Sequence, residues 1–303
     1  TSSDELTGHF ATYALVYDHI ANTPEQKKRV LTLMEGLLMG IIDNNLYLMD
    51  PFTGNRTYWG FWNPKELNDE PEHYSERGLN SLQILSWLTQ AYSITGNKKY
   101  KEQYDVLVNH HNYHVNTFNI KIDSAIDENH SDNELIWLAY HSLFYSSQRL
   151  QGLDENNKRK KEIDSMIKPM IPSIKKTFLL MKGELCPFWL GIYAGTAAQS
   201  DMINSKDISD VIWTLRHWQI DNIEWNIEGS QRIDEDVNIN DPSNLVRGGS
   251  KNSHIMRRIR PMSERSAGDI HYDPFNVNPE GDGQSEDEPG LFLFPYYIML
   301  YNN

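Results

Sequence analysis

The chain has 303 residues, 39% of them hydrophobic and 23% charged, with 28 Lys+Arg against 42 Asp+Glu for a net charge of −14. Such a length supports a large buried core, whereas so acidic a surface repels phosphate backbones and anionic headgroups, which excludes nucleic acid as an expected partner. No apolar run approaches the roughly 18 residues of a membrane span, and the single Cys186 rules out an intramolecular disulfide and any Cys-based zinc spacing.

The mean hydropathy is low, −0.60, but 16 Tyr, 8 Trp and 10 Phe supply rings that can both fill a core and line a polar cleft. The opening TSSDELTGHF lacks the charged segment followed by an apolar one that marks a leader peptide. Because it starts directly at a helix cap, we expect one domain over residues 1–303, excised from a longer precursor and placed outside the cytoplasm, periplasmic or secreted.

In chain order, Leu6, Phe10, Tyr13, Ala14, Tyr17 and Ile20 recur at threes and fours, predicting a first helix over Leu6–Ile20 behind caps Ser2, Ser3 and Asp4. Thr23-Pro24 opens a second through Ile42. Asn45–Met49 is the best strand candidate, before the Asp50-Pro51-Phe52-Thr53-Gly54 turn. The aromatic segment Tyr58–Pro64 reads as a loop. Ser75-Glu76 opens a third helix, Leu79–Ile94, ended by Gly96, and Tyr100–His114 returns as a fourth. Ser131-Asp132-Asn133-Glu134 caps a fifth at Leu135–Leu150. A sixth lies near Ile163–Met181, shorter ones at Phe188–Ala198 and Ile208–Trp218, and Leu291–Tyr301 ends the chain. Residues 221–289 lose periodicity and turn rich in Asp, Asn, Ser, Gly and Arg, too long for a plain connection.

A weak repeat runs through this pattern. Ser3-Asp4-Glu5-Leu6 with Tyr13 and Tyr17 parallels Ser131-Asp132-Asn133-Glu134-Leu135 with Tyr140 and Tyr145, and Ser75-Glu76-Arg77-Gly78-Leu79 lies between. Each cap opens a hydrophobic helix followed by a more charged one, as an inner and an outer ring would need. The architecture resembles the (α/α) toroids of carbohydrate-active enzymes, the six-hairpin glycosidase-like group and related polysaccharide lyases. That resemblance implies an all-α helical-hairpin toroid, barrel-like and either closed or incomplete, acting on an oligo- or polysaccharide.

If the capped helices run parallel, Asp4, Glu5, Glu76, Asp132 and Glu134 gather at one mouth. Helix N-termini stabilise carboxylates, while burial or a neighbouring carboxylate raises the pKa of one of them, so a base and an acid can coexist. Asp4, Glu5, Glu76 and Asp132 are therefore the candidate catalytic carboxylates of a glycoside hydrolase, with His9 and His130 at the same helix starts as proton carriers. Trp59 and Trp62 are the expected sugar platform. Arg77, Asn80, Asn129 and Arg265 are candidate substrate contacts. The arginines at 247, 257, 258, 260 and 265 suit an acidic polysaccharide, which keeps a lyase open, and a non-catalytic glycan-binding module is the third reading. His110 and His114, at i and i+4, could share one helical face as a metal pair, and 280–288 carries oxygen ligands without EF-hand spacing. No cofactor or resident metal is expected. P-loop, dinucleotide-binding, G-x-S-x-G and H-E-x-x-H patterns are absent from the sequence.

Overall fold

A computed structural model of the chain describes residues 2–123, 129–197, 205–221, 223–225, 259–265, 274–275, 282–286 and 289–302. These form twelve α-helices and one two-stranded antiparallel sheet, so the chain is mostly helical, as expected of an all-α fold. Contacts divide it into two compact units, residues 1–123 with 138–174 and residues 124–137 with 175–303.

In the first unit, α1 (Ser3–Leu15) runs on into a π turn, Val16–Ile20, closed by Ala21 N–H donating to the Val16 carbonyl. α2 (Pro24–Asp43) starts where Thr23-Pro24 predicts: Gln26 N–H donates to Thr23 Oγ1, and Gln26 Oε1 accepts from the Asn22 and Thr23 N–H groups. It buries Val30, Met34, Leu38 and Ile41, one stripe of an amphipathic helix.

β1 (Tyr47–Met49) and β2 (Arg56–Phe61) form a hairpin around the Asp50 turn. Asp50 Oδ1 accepts from the Phe52 and Thr53 N–H groups, which holds its carboxyl below the usual carboxylate range. Sequence reading places a loop over much of β2. The chain pairs there instead, with an irregular register between Tyr47 and Met49.

α3 (Arg77–Thr95) has no solvent face: every residue from Gly78 to Ile94 is buried. Its apolar residues include Leu79, Leu82, Ile84, Leu85, Trp87 and Leu88, yet the helix also carries Asn80, Ser81, Gln83, Ser86, Thr89, Gln90 and Ser93. A buried polar group is tolerated only with a partner. Ser86, Thr89 and Ser93 donate back to carbonyls three or four residues earlier, while Gln83 and Gln90 donate to Thr7 Oγ1 (2.9 Å) and the Phe10 carbonyl (2.8 Å). Phe10 also stacks on Trp87, centroids 4.7 Å apart. Thr7 with Gln83 and Phe10 with Trp87 and Gln90 rise in step, so α1 and α3 lie side by side and parallel.

Gly96, in the left-handed region (φ +70°), ends α3; a Cβ there would lie 2.4 Å from the Arg159 guanidinium. α4 (Lys98–His111) then buries Tyr100, Tyr104 and Leu107. It stops three residues short of the expected end, because Asn112 takes φ +57°, and α5 (Tyr113–Phe118) and α6 (Ile120–Asp123) follow. α6 abuts the start of α3 so closely that a Cβ on Gly78 would lie 2.6 Å from Ile120 Cα.

α7 (His130–Gln148) and α9 (Ile171–Met181) each contribute residues to both units, with α8 (Lys158–Ile167) between them in the first. The single helix expected near Ile163–Met181 is thus two, separated by a 3-10 turn at Lys168-Pro169-Met170, where proline removes a backbone donor.

In the second unit, α10 (Pro187–Ala197) and α12 (Gly290–Asn302) meet through glycines. A Cβ at Gly191 would lie 2.5 Å from Pro295 Cβ, and one at Gly195 2.3 Å from Ile298 Cγ2. α11 (Ser205–His217) is amphipathic and buries Asp207, Val211 and Thr214. Cys186 is buried, which pushes its thiol pKa up and makes it a poor nucleophile.

Candidate functional site

The parallel pairing of α1 and α3 puts the carboxylates at their starts on one end of the first unit. Asp4 and Glu5 occupy the first turn of α1; Glu76 immediately precedes α3. Each has a local hydrogen bond: Ser3 Oγ donates to Asp4 at 3.0 Å, the Ser2 N–H to Glu5 at 3.0 Å, and Ser75 Oγ to Glu76 at 3.4 Å. Glu5 is thus the reciprocal half of a capping arrangement. His9 is exposed on α1 and lies parallel to the Tyr13 ring, centroids 6.0 Å apart.

The hairpin is anchored at the same end. Asn80 Nδ2 donates to the Phe61 carbonyl at 3.0 Å, Trp62 Nε1 to Gln83 Oε1 at 2.9 Å, and the Tyr113 hydroxyl to the Trp62 carbonyl at 2.6 Å. These bonds correct two expectations. Trp62 is fully buried, edge-on to Trp87, and is part of the core rather than a sugar platform. Asn80 is buried and its Nδ2 ties β2 to α3, a structural contact in place of the expected ligand contact. Trp59 remains half exposed and packs edge-on against Tyr58, which is 79% exposed. Arg77 stacks over the Tyr74 ring (4.2 Å) and donates through Nε to the Leu67 carbonyl.

The hairpin also contributes to a cluster that the sequence did not single out. Glu66, in a π turn at Lys65–Asp69, accepts at Oε1 from Arg56 Nη1 (2.6 Å) and the Tyr47 hydroxyl (3.1 Å). His73 Nδ1 stands 3.0 Å from Glu66 Oε2, and its ring lies 4.5 Å from that of Phe61. Both side chains of the Glu66–His73 pair are about one-fifth exposed, 18% and 19%. Burial, and secondarily Glu66, raises the Tyr47 pKa, so its hydroxyl stays a donor at neutral pH. A carboxylate held from two sides, with an imidazole beside its other oxygen, can fix the position of that ring. The four residues come from two strands and two turns, and only Glu66 and His73, seven apart around Pro71, offered a local signal.

The remaining candidates are in the second unit. Asn129 caps α7: its Oδ1 accepts from the Ser131 N–H (3.2 Å) and Oγ (2.8 Å), and its Nδ2 donates to Asp132 Oδ1 (3.2 Å). His130, in the first turn, is half-buried. Arg265 is buried against the Trp218 ring (4.7 Å) and donates to the Glu184 carbonyl at 2.6 Å, next to Leu185 in the left-handed region. Its guanidinium serves the chain turn before α10, which corrects its assignment as a ligand contact. Arg260 is also buried, while Arg247, Arg257 and Arg258 lie outside the described residues.

No group of three or more His, Cys, Asp or Glu suited to a metal ion occurs among the described residues. His110 and His114 do not share one helical face, because Asn112 breaks the helix between them. Of the acidic loop 280–288, only 282–286 are described; there Asp282 accepts from the Gln284 and Ser285 N–H groups, which lowers its pKa. No helix among the described residues is long and apolar enough to cross a membrane.

Two apolar grooves are lined by other residues. One, about 480 Å³, lies between α11 and α12 and is lined by Ile212, Leu215, Phe292, Tyr296 and Met299; the other, about 280 Å³, lies between the π turn and α2. Comparison with family models, curated proteins and solved structures finds no match to the chain.

Proposed function

We propose that the chain is a glycan-active enzyme, a glycoside hydrolase working through carboxylates at the starts of paired helices. The observation that carries this reading is the parallel packing of α1 and α3, which shares one end of the first unit among Asp4, Glu5, Glu76 and the hairpin with its exposed Tyr58 and Trp59. Alternation of buried with half-exposed helices supports the toroid reading in the same way.

In the proposed reaction one carboxylic acid protonates the glycosidic oxygen as the bond to the anomeric carbon breaks. A second carboxylate either attacks that carbon or activates a water, depending on a separation of about 5–5.5 Å or about 6.5–9.5 Å. Glu76, immediately before the fully buried α3, is the preferred acid. The Tyr58–Trp59 pair would stack on the sugar faces. An extracytoplasmic location belongs to the same reading.

Incubating the protein with a panel of neutral and acidic glycans tests it. Released reducing ends, lost in Glu76→Gln, are the expected result. An ultraviolet-absorbing unsaturated product would replace it with the lyase, a reading that Arg265, bonded to backbone carbonyls, does not support. Glycan binding without turnover would instead establish a binding module, which the capping roles of Glu5 and Asn129 favour.

A further inference from the structure

We propose that the groove between the π turn and α2 is a binding site for an amphiphilic anion, a medium-chain carboxylate being the simplest occupant. This does not depend on the glycan reading. One wall is Val16, Ile20 and Ala21; the other is Gln26, Arg29, Val30 and Leu33, spaced i, i+3, i+4, i+7 along one face of α2. The cavity is about 280 Å³, which suits a short chain rather than a full-length lipid.

Three observations select the ligand. First, Ile20 and Leu33 are more than half exposed beside the groove, 64% and 53%, so an apolar occupant would remove both from water. Second, the polar groups of the lining are donors. Arg29 has no ion-pair or hydrogen-bond partner among the described residues, although most other arginines of this unit are held: Arg56 by Glu66, Arg149 by Asp18, Arg77 by Leu67. Gln26 Oε1 is taken by two backbone N–H groups, which leaves its amide hydrogens to donate. No carboxylate lines the groove. A donor-only rim on an apolar trough complements a negative head on a hydrocarbon tail. Third, the wall is a five-residue π turn, an irregularity that recurs where helices form sites.

Calorimetric titration of the full chain with sodium decanoate, and separately with 1-decanol, tests the proposal. Saturable decanoate binding about tenfold tighter than decanol is expected, equivalent to about 1.4 kcal/mol. Arg29→Gln should abolish that preference, and Leu33→Ser should weaken both ligands; both residues are exposed, so neither change threatens the fold. Equal binding of the acid and the alcohol, unaltered decanoate binding by Arg29→Gln, or no binding of either at millimolar concentration would overturn it. A peptide presenting a hydrophobic C-terminal residue that bound there while decanoate did not would assign the groove to a protein partner and overturn it equally.

Discussion

Arg149 grips Asp18 with two parallel bonds, Nε to Oδ2 at 2.8 Å and Nη2 to Oδ1 at 2.6 Å, while its Nη1 donates to the Ser93 carbonyl at 2.8 Å. One guanidinium therefore joins the π turn after α1, the last turn of α3 and the end of α7. A cation at helix C-termini is favourable, and removing one partner of a mostly buried pair leaves the other charge uncompensated. Arg149→Met should cost about 3 kcal/mol, read as a lower urea midpoint. An unchanged midpoint would mean that the clamp is incidental.

His141 is buried in the first unit, and burial lowers its pKa from 6.5 to about 4. Unfolded, this imidazole takes a proton near pH 6.5; folded, it resists until about pH 4. The unfolded state thus binds more protons between those values, and stability falls as pH drops through that window, by about 2 kcal/mol at pH 5 relative to pH 7. His141→Phe should lose that share of the dependence. Comparing urea midpoints of parent and variant at both pH values checks it, and parallel shifts would exclude His141 as the source.

The glycines separate packing from propensity. Gly195→Ala drives a Cβ to 2.3 Å from Ile298 Cγ2 and should destabilise by about 1–3 kcal/mol. Gly36→Ala, within α2 and with nothing inside 4 Å of the added Cβ, should stabilise by about 0.5–1 kcal/mol. Thermal midpoints should move in opposite directions for the two variants, and a shared direction would contradict the close packing of α10 on α12.

Trp59 and Trp62, three residues apart, should behave as unlike residues. Trp62→Ala should cost about 3–5 kcal/mol of stability. Trp59→Ala should leave the urea midpoint within about 0.5 kcal/mol and weaken binding of any glycan the protein takes by about tenfold, the worth of one stacked ring. Unaltered glycan affinity in Trp59→Ala would remove the hairpin from the binding surface.

The helices were legible because caps and periodicity agree: Thr23-Pro24 at the start of α2 and Gly96 at the end of α3 each report a local preference that tertiary packing kept. Misreadings arose where one sequence signal serves two environments. Tyr58 to Trp62 carries four aromatic rings around Gly60, and pairing with β1 decides that Trp59 faces water and Trp62 the core. Asn112 matched a helical pattern that its tolerance of positive φ ended. The Glu66 cluster could not be read as a set, since Tyr47, Arg56, Glu66 and His73 converge through the hairpin register and two short turns. Asn80 and Arg265 looked like ligand contacts because polar residues in a helix start or an irregular stretch usually face solvent; here each meets a backbone carbonyl.

The polar residues of α3 carry one more implication. Moving the helix by a single turn, about 5.4 Å, would part Gln83 from Thr7, Gln90 from Phe10 and Asn80 from Phe61 together. A greasy rod could slip within its sleeve; this one is keyed, at three heights, to a single position. Motion in the first unit must then arise at its rim, and the innermost amides of α3 should exchange with deuterium only when the unit as a whole comes apart.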